Sequence, residues 1–78
     1  MRQLSTEDFC DYIDKPIQHY LVNPRKNLAF RSFTKDGVSY YFCKAEGGKE
    51  KEIRHDNEDY NEAWFLSMVL TKEEYDNY

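Results

Sequence analysis

The chain has 78 residues, enough for one domain and too few for a cofactor fold with a separate substrate lid. A third of it is charged, with net charge −4, and 17% is aromatic, which is not the composition of a disordered chain. Two Cys are too few for a disulfide scaffold, and no apolar run approaches the roughly 18 residues of a membrane span.

The first predicted element is a helix. Ser5 can cap it, Asp8 stands three residues on, and Leu4 with Phe9 fits a hydrophobic staple. Glu7 and Asp8 suit the positive end of its dipole. Phe9, Tyr12, Ile13, Ile17, Tyr20 and Leu21 recur at spacings that continue one helical stripe. Pro16 lies inside the stripe, so the pattern predicts one kinked helix, or two short ones with Pro16 opening the second. Asn23-Pro24 ends the element.

A β-hairpin follows, Asn27 to Thr34 and Val38 to Ala45 around Lys35-Asp36-Gly37. A two-residue Asp36-Gly37 turn would pair Phe33 with Tyr40 and Phe30 with Cys43. A three-residue loop, with Gly37 as a left-handed bulge, pairs Thr34 with Val38 and Phe30 with Phe42. The second register gathers Leu28, Phe30, Val38, Tyr40 and Phe42 on one face, and burial of a single face favours it. Glu50 to His55 reads as a short, charged edge strand anchored by Ile53.

Asp56 or Asn57 caps a second helix with Glu58 and Asp59 in its first turn. Tyr60, Ala63, Trp64, Ser67 and Met68 form its stripe, with Phe65, Leu66, Val69 and Leu70 in other directions. Thr71 and Glu74 form a capping-box sequence opening a final short helix that bears Tyr75 and Tyr78. The expected fold is a single α+β domain over 1–78: an N-terminal helix, a three-stranded antiparallel sheet, and one long and one short C-terminal helix on one sheet face. Trp64, Phe65, Met68, the inner face of the sheet and the first helical stripe are its expected core.

No catalytic signature is present. The two Cys and two His lack zinc-ligand spacing, and nothing local supports a Cys-His nucleophile. Gly47-Gly48-Lys49 lacks the frame of a phosphate-binding loop and reads as a hairpin turn. No catalytic residue, metal site, cofactor or small-molecule substrate is therefore expected, and no membrane partner. No secretory leader pattern opens the chain, so the expected location is the cytoplasm.

Charge carries the functional reading. Residues 1–14 hold four acids against one base, residues 15–54 nine bases against four acids, and residues 55–78 seven acids against one base. Asp56, Glu58, Asp59, Glu62, Glu73, Glu74 and Asp76, interleaved with Tyr75 and Tyr78, can imitate a row of phosphates and bases toward a basic partner. A rival site is basic and aromatic: Arg31, Lys35, Tyr41, Lys44 and Arg54 on the sheet can hold DNA or RNA. A third reading is a homo-oligomer, such as a homodimer, that buries Trp64 to Leu70 between copies.

The Lys35-Asp36-Gly37 turn, Tyr60-Asn61-Glu62 and Glu73-Glu74-Tyr75-Asp76 occur in an order that resembles small phage-encoded anti-CRISPR inhibitors. That resemblance implies a cofactor-free protein in a bacterial cytoplasm. It would occupy the DNA site of a nuclease complex or other basic nucleic-acid-binding protein.

Overall fold

The computed structural model describes residues 1–15 and 17–78. In chain order the elements are β1 (Arg2–Gln3), α1 (Thr6–Asp14), β2 (His19–Asn23), β3 (Leu28–Lys35), β4 (Val38–Ala45), β5 (Lys51–Ile53), α2 (Glu58–Leu66), β6 (Met68–Val69) and α3 (Lys72–Asp76). The class is α+β, but the sheet has six antiparallel strands rather than three, in the order β1-β6-β2-β3-β4-β5. Among the described residues no helix is long and apolar enough to cross a membrane.

The expected first helix is half right. Ser5 caps α1 by accepting from the Asp8 amide, as its spacing predicts. The helix stops at Asp14, and the stripe's second half is the central strand β2, buried along its whole length. Such a strand has no polar face, so its apolar run can pass for helical spacing. The kink or split expected at Pro16 falls outside the described residues.

The hairpin takes the register set against expectation. Lys35 pairs with Val38, Phe33 with Tyr40 and Phe30 with Cys43. Asp36 and Gly37 both have positive φ, 53° and 78°, the requirement of a two-residue type I′ turn. Turn chemistry could decide because the sheet is covered on both faces, so neither register strands the apolar residues in water.

Side-chain alternation defines the two faces. The first carries Leu21, Phe30, Cys43 and Val69, packed under Phe9 of α1 and Tyr60 and Ala63 of α2. The second carries Tyr20, Val22, Ala29 and Leu70 under Tyr75 of α3. Each large side chain in these clusters contributes about 1.5–3 kcal/mol on burial. The helices thus lie on opposite faces, not on one. The crossing is made at β6: Ser67 closes α2 in the left-handed region at φ 56°, and Met68–Val69 then pair with both β1 and β2. A two-residue strand is too short to show in the sequence pattern. It delivers Thr71 to the second face, where the expected capping box forms with Glu74.

Two further expectations change. The third hairpin strand is confined to Lys51–Ile53, and Asn57 rather than Asp56 caps α2. Phe65, assigned to the core, is 87% exposed, and Trp64 is 41% exposed.

One polar residue ties the layers together. Asn23 is fully buried; its Nδ2 donates to the Asp59 carbonyl at 3.1 Å and to Glu62 Oε1 at 2.8 Å, and its Oδ1 accepts from the Arg25 amide.

Candidate interaction surfaces

The seven C-terminal acids do not form one surface. Asp56, Glu58, Asp59 and Glu62 stand at or on α2 over the first face; Glu73, Glu74 and Asp76 stand on α3 over the second. Tyr75 is 4% exposed and belongs to the core. It leans on Tyr20, with ring centroids 5.3 Å apart, and its hydroxyl donates to Glu50 Oε1 at 2.7 Å. Tyr78 is half-buried against the same cluster.

Several of these acids have partners. Asp76 accepts from Lys72 at 2.8 Å, one helical turn away, and Asp56 accepts from Arg54 at 3.3 Å. Glu74 is held by the Thr71 amide and the Met1 amino group. Glu62 is 3.6 Å from Arg25.

What the structure brings together instead is α1 with α2. Phe9 meets Trp64 edge-to-face, ring centroids 5.0 Å apart, so the two helices lie side by side. Glu7, Asp8, Asp11 and Asp14 of α1 join Glu58, Asp59 and Glu62 of α2, and neither helix contains a Lys or Arg. Among the described residues none of the four α1 acids has an ion-pair partner. Phe65 and Trp64 stand on the same layer as its exposed apolar area. The α1 acids were visible as the −3 segment of the sequence, but nothing local said that they would be neighbours of α2.

The basic set divides differently. Arg31, Lys35 and Lys44 occupy the second face by strand alternation, Arg54 lies just past the end of β5, and Tyr41 lies on the first face, paired with Ser32 and Ile53. Beside the bases stands a ladder that sequence reasoning did not assemble: Tyr40 stacks on Phe33 at 5.3 Å, Phe33 on Phe42 at 6.0 Å, and the Arg31 guanidinium covers Phe42 at 4.4 Å. Arg31 is also clamped by both oxygens of Glu50, at 2.6 and 2.9 Å, and bonds Gln18 at 2.6 Å. Its hydrogen bond holds the Glu50 carboxyl below the ordinary glutamate range. Burial, then the bond to Glu50, pushes the Tyr75 phenol up.

A groove of about 180 Å³ opens on the first face between the last turn of α1 and the side of α2, among Ile13, His19, Ser32, Tyr41, Tyr60 and Trp64. The Tyr41 and Tyr60 rings stand edge-to-face at 5.2 Å, and the Tyr60 hydroxyl donates to Ser32 Oγ at 3.4 Å. Burial raises the Tyr60 phenol, so it remains a hydroxyl at neutral pH. Among the described residues no group of three His, Cys, Asp or Glu is placed to hold a metal ion.

Compared with protein-family models, characterised proteins and solved structures, the chain finds no match. Function is therefore argued from the surfaces themselves.

Proposed function

We propose that the protein is a non-enzymatic inhibitor or modulator that docks its α1–α2 face on the cationic nucleic-acid site of a nucleic-acid-handling protein. The observation that carries this reading is charge that the fold does not need. Acids in the first turn of a helix complement its dipole. Asp11 and Asp14 lie outside the first turn of α1, and Asp14 stands at its negative end, whereas Glu62 is held by Asn23 and Arg25. Five acid pairs lie three or four residues apart within these helices: Glu7–Asp11, Asp8–Asp11, Asp11–Asp14, Glu58–Glu62 and Asp59–Glu62. Like charges at those spacings destabilise a helix. Unpaired carboxylates on two neighbouring helices beside exposed aromatics have the chemistry of phosphates beside bases. The nuclease complexes implied by the anti-CRISPR-type resemblance are targets of this kind.

Nucleic-acid binding by the second face has less support. Arg31 is matched by Glu50 and Lys72 by Asp76, and the rings of this face already stack on one another and on Arg31, which leaves few ring faces for a base.

The test is capture from a nuclease-treated bacterial lysate. Wild type is compared with an α1–α2 variant (Asp8→Asn, Asp11→Asn, Asp14→Asn, Glu58→Gln) and an α3 variant (Glu73→Gln, Asp76→Asn). The expected result is a DNA-binding protein held by wild type and the α3 variant, lost with the α1–α2 variant, and released by added double-stranded DNA. Equal capture by all three, or a complex indifferent to DNA, overturns the reading.

A further inference from the structure

The groove between α1 and α2 is lined by His19, one acceptor of which the fold leaves unused. His19 is 8% exposed and Ser32 7% exposed. The His19 Nε2 lies 2.8 Å from the Tyr12 carbonyl oxygen, a contact that only an N–H can satisfy. In the neutral ring that tautomer leaves Nδ1 as a bare acceptor. Nδ1 has no hydrogen-bond partner among the described residues, yet no side-chain nitrogen or oxygen sealed from solvent lacks one. Nδ1 therefore opens on accessible space, and His19 lines this groove and the cleft that adjoins it.

The other walls select what could fill the groove. Tyr41 and Trp64 supply ring surfaces, and the buried Tyr60 ring stands edge-to-face with Tyr41. Ser32 and the tyrosines supply hydroxyl oxygens. The groove is smaller than the roughly 300–1,000 Å³ of ordinary ligand pockets, so its size fits the head of one side chain rather than a cofactor. Its electrostatics favour a cation. α1 reaches it with Ile13 of its last turn, the negative dipole end, while α2 spans it from Tyr60 in its first turn to Trp64. Asp14 lines the adjoining cleft, where Lys15 is the opposing charge.

We propose that this groove receives an arginine side chain of the partner protein. Its planar guanidinium would lie against Tyr41 and Trp64 and donate to His19 Nδ1 and the hydroxyl oxygens, with its methylene stem over Ile13. A guanidinium suits these walls better than an ammonium because it stacks on aromatic rings and offers five donors in fixed directions. That the arginine belongs to a docked partner rests on the function proposed above; the chemistry of the groove does not.

The test uses Nα-acetyl-L-arginine amide as the probe, with the corresponding citrulline and lysine amides as controls. Trp64 is the chain's single Trp, so its emission reports the groove, and amide NMR shifts at His19, Tyr41 and Trp64 locate the probe. Saturable binding of arginine, about tenfold tighter than citrulline, is expected. Tyr41→Leu should weaken it about five- to tenfold with native-like spectra retained, and Tyr41→Phe by less. If Tyr41→Leu fails to fold, Ser32→Ala serves in its place. No saturable response, equal binding of citrulline, or shifts confined to another face overturns the proposal. Arginine binding that persists while the α1–α2 acid variant captures partner normally refutes the docking function and leaves the groove assignment standing. Loss of capture without arginine binding does the reverse.

Discussion

Asp11→Asn should make the protein more stable. Asp11 has three like-charged neighbours on α1: Glu7 four residues before it, Asp8 three before, and Asp14 three after. Each such pair costs about 0.2–0.5 kcal/mol, so removing one charge relieves about 0.6–1.5 kcal/mol. Asp and Asn have nearly equal helix propensity and the side chain is exposed, but Lys15, four residues after Asp11 in the same cleft, offsets about 0.2–0.5 kcal/mol and leaves a net gain of about 0.4–1 kcal/mol. In a domain of this size that net gain is a rise in Tm of roughly 2–8 °C. The origin of the gain is testable in the same melts. At 1 M salt the screening length falls to about 3 Å and most of the difference should vanish. Circular dichroism melts at 10 mM and 1 M NaCl give both numbers. A variant that is less stable than wild type at low salt, or a gain independent of salt, would refute the claim that these acids strain the fold. It would also remove the main support for their functional role.

Three further perturbations probe the scaffold. Glu50→Gln should weaken the Arg31 clamp by roughly 1–3 kcal/mol, read as a lower urea midpoint. Because Arg31 holds the folded Glu50 carboxyl below its unfolded value of about 4.3, this stability is present above that pH. It is lost as pH falls through the folded value, so the variant should show a shallower acid limb, and an unchanged limb would contradict the assignment. Gly37→Ala meets no steric neighbour but must hold φ near 78°, and should cost about 1–2 kcal/mol by denaturant titration; a neutral outcome would rule out the type I′ turn. Asn23→Ala strands the Glu62 carboxylate and the Arg25 amide and should lower stability by roughly 2–3 kcal/mol in the same assay, with less than 1 kcal/mol refuting the buried bridge.

Local chemistry was legible in the sequence wherever a motif closes on itself. The Ser5 cap and the Thr71–Glu74 capping box each need only residues three apart, and both form as read. What failed depended on distant coverage. The residues from His19 to Asn23 lose their alternation because α2 covers one side of them and α3 the other. The hairpin register was misjudged on the assumption that only one face is buried. With both faces occupied, Asp36-Gly37 set the register through its backbone. The interaction surface was half legible for the same reason. The acids of residues 55–78 are plain in the sequence, but β6 carries the chain from one face to the other between Leu66 and Thr71. Glu73, Glu74 and Asp76 are thereby separated from Glu58 and Asp59, and the acids of α1 take their place.

The same crossing leaves the two faces electrostatically unlike, and the difference can be read in binding kinetics. On the second face and its rim charges pair with one another, Arg31 with Glu50 and Lys72 with Asp76, so their fields largely cancel. On α1 and α2 six of the seven carboxylates have no ion-pair partner among the described residues, so an uncompensated negative field leaves the molecule on that side. Such a field acts at long range on encounter, and its effect is screened by salt. The groove at His19 and Tyr41 acts only on contact. Charge removal at Asp11 and Asp14 should therefore slow association with a cationic partner and flatten its salt dependence, while Tyr41→Leu should leave the association rate within about twofold and speed dissociation. Surface plasmon resonance with the captured partner separates the two rates. If the acid variants changed only dissociation, the carboxylates would be contact groups without a steering role, and the segregation of charge between the faces would be a by-product of folding.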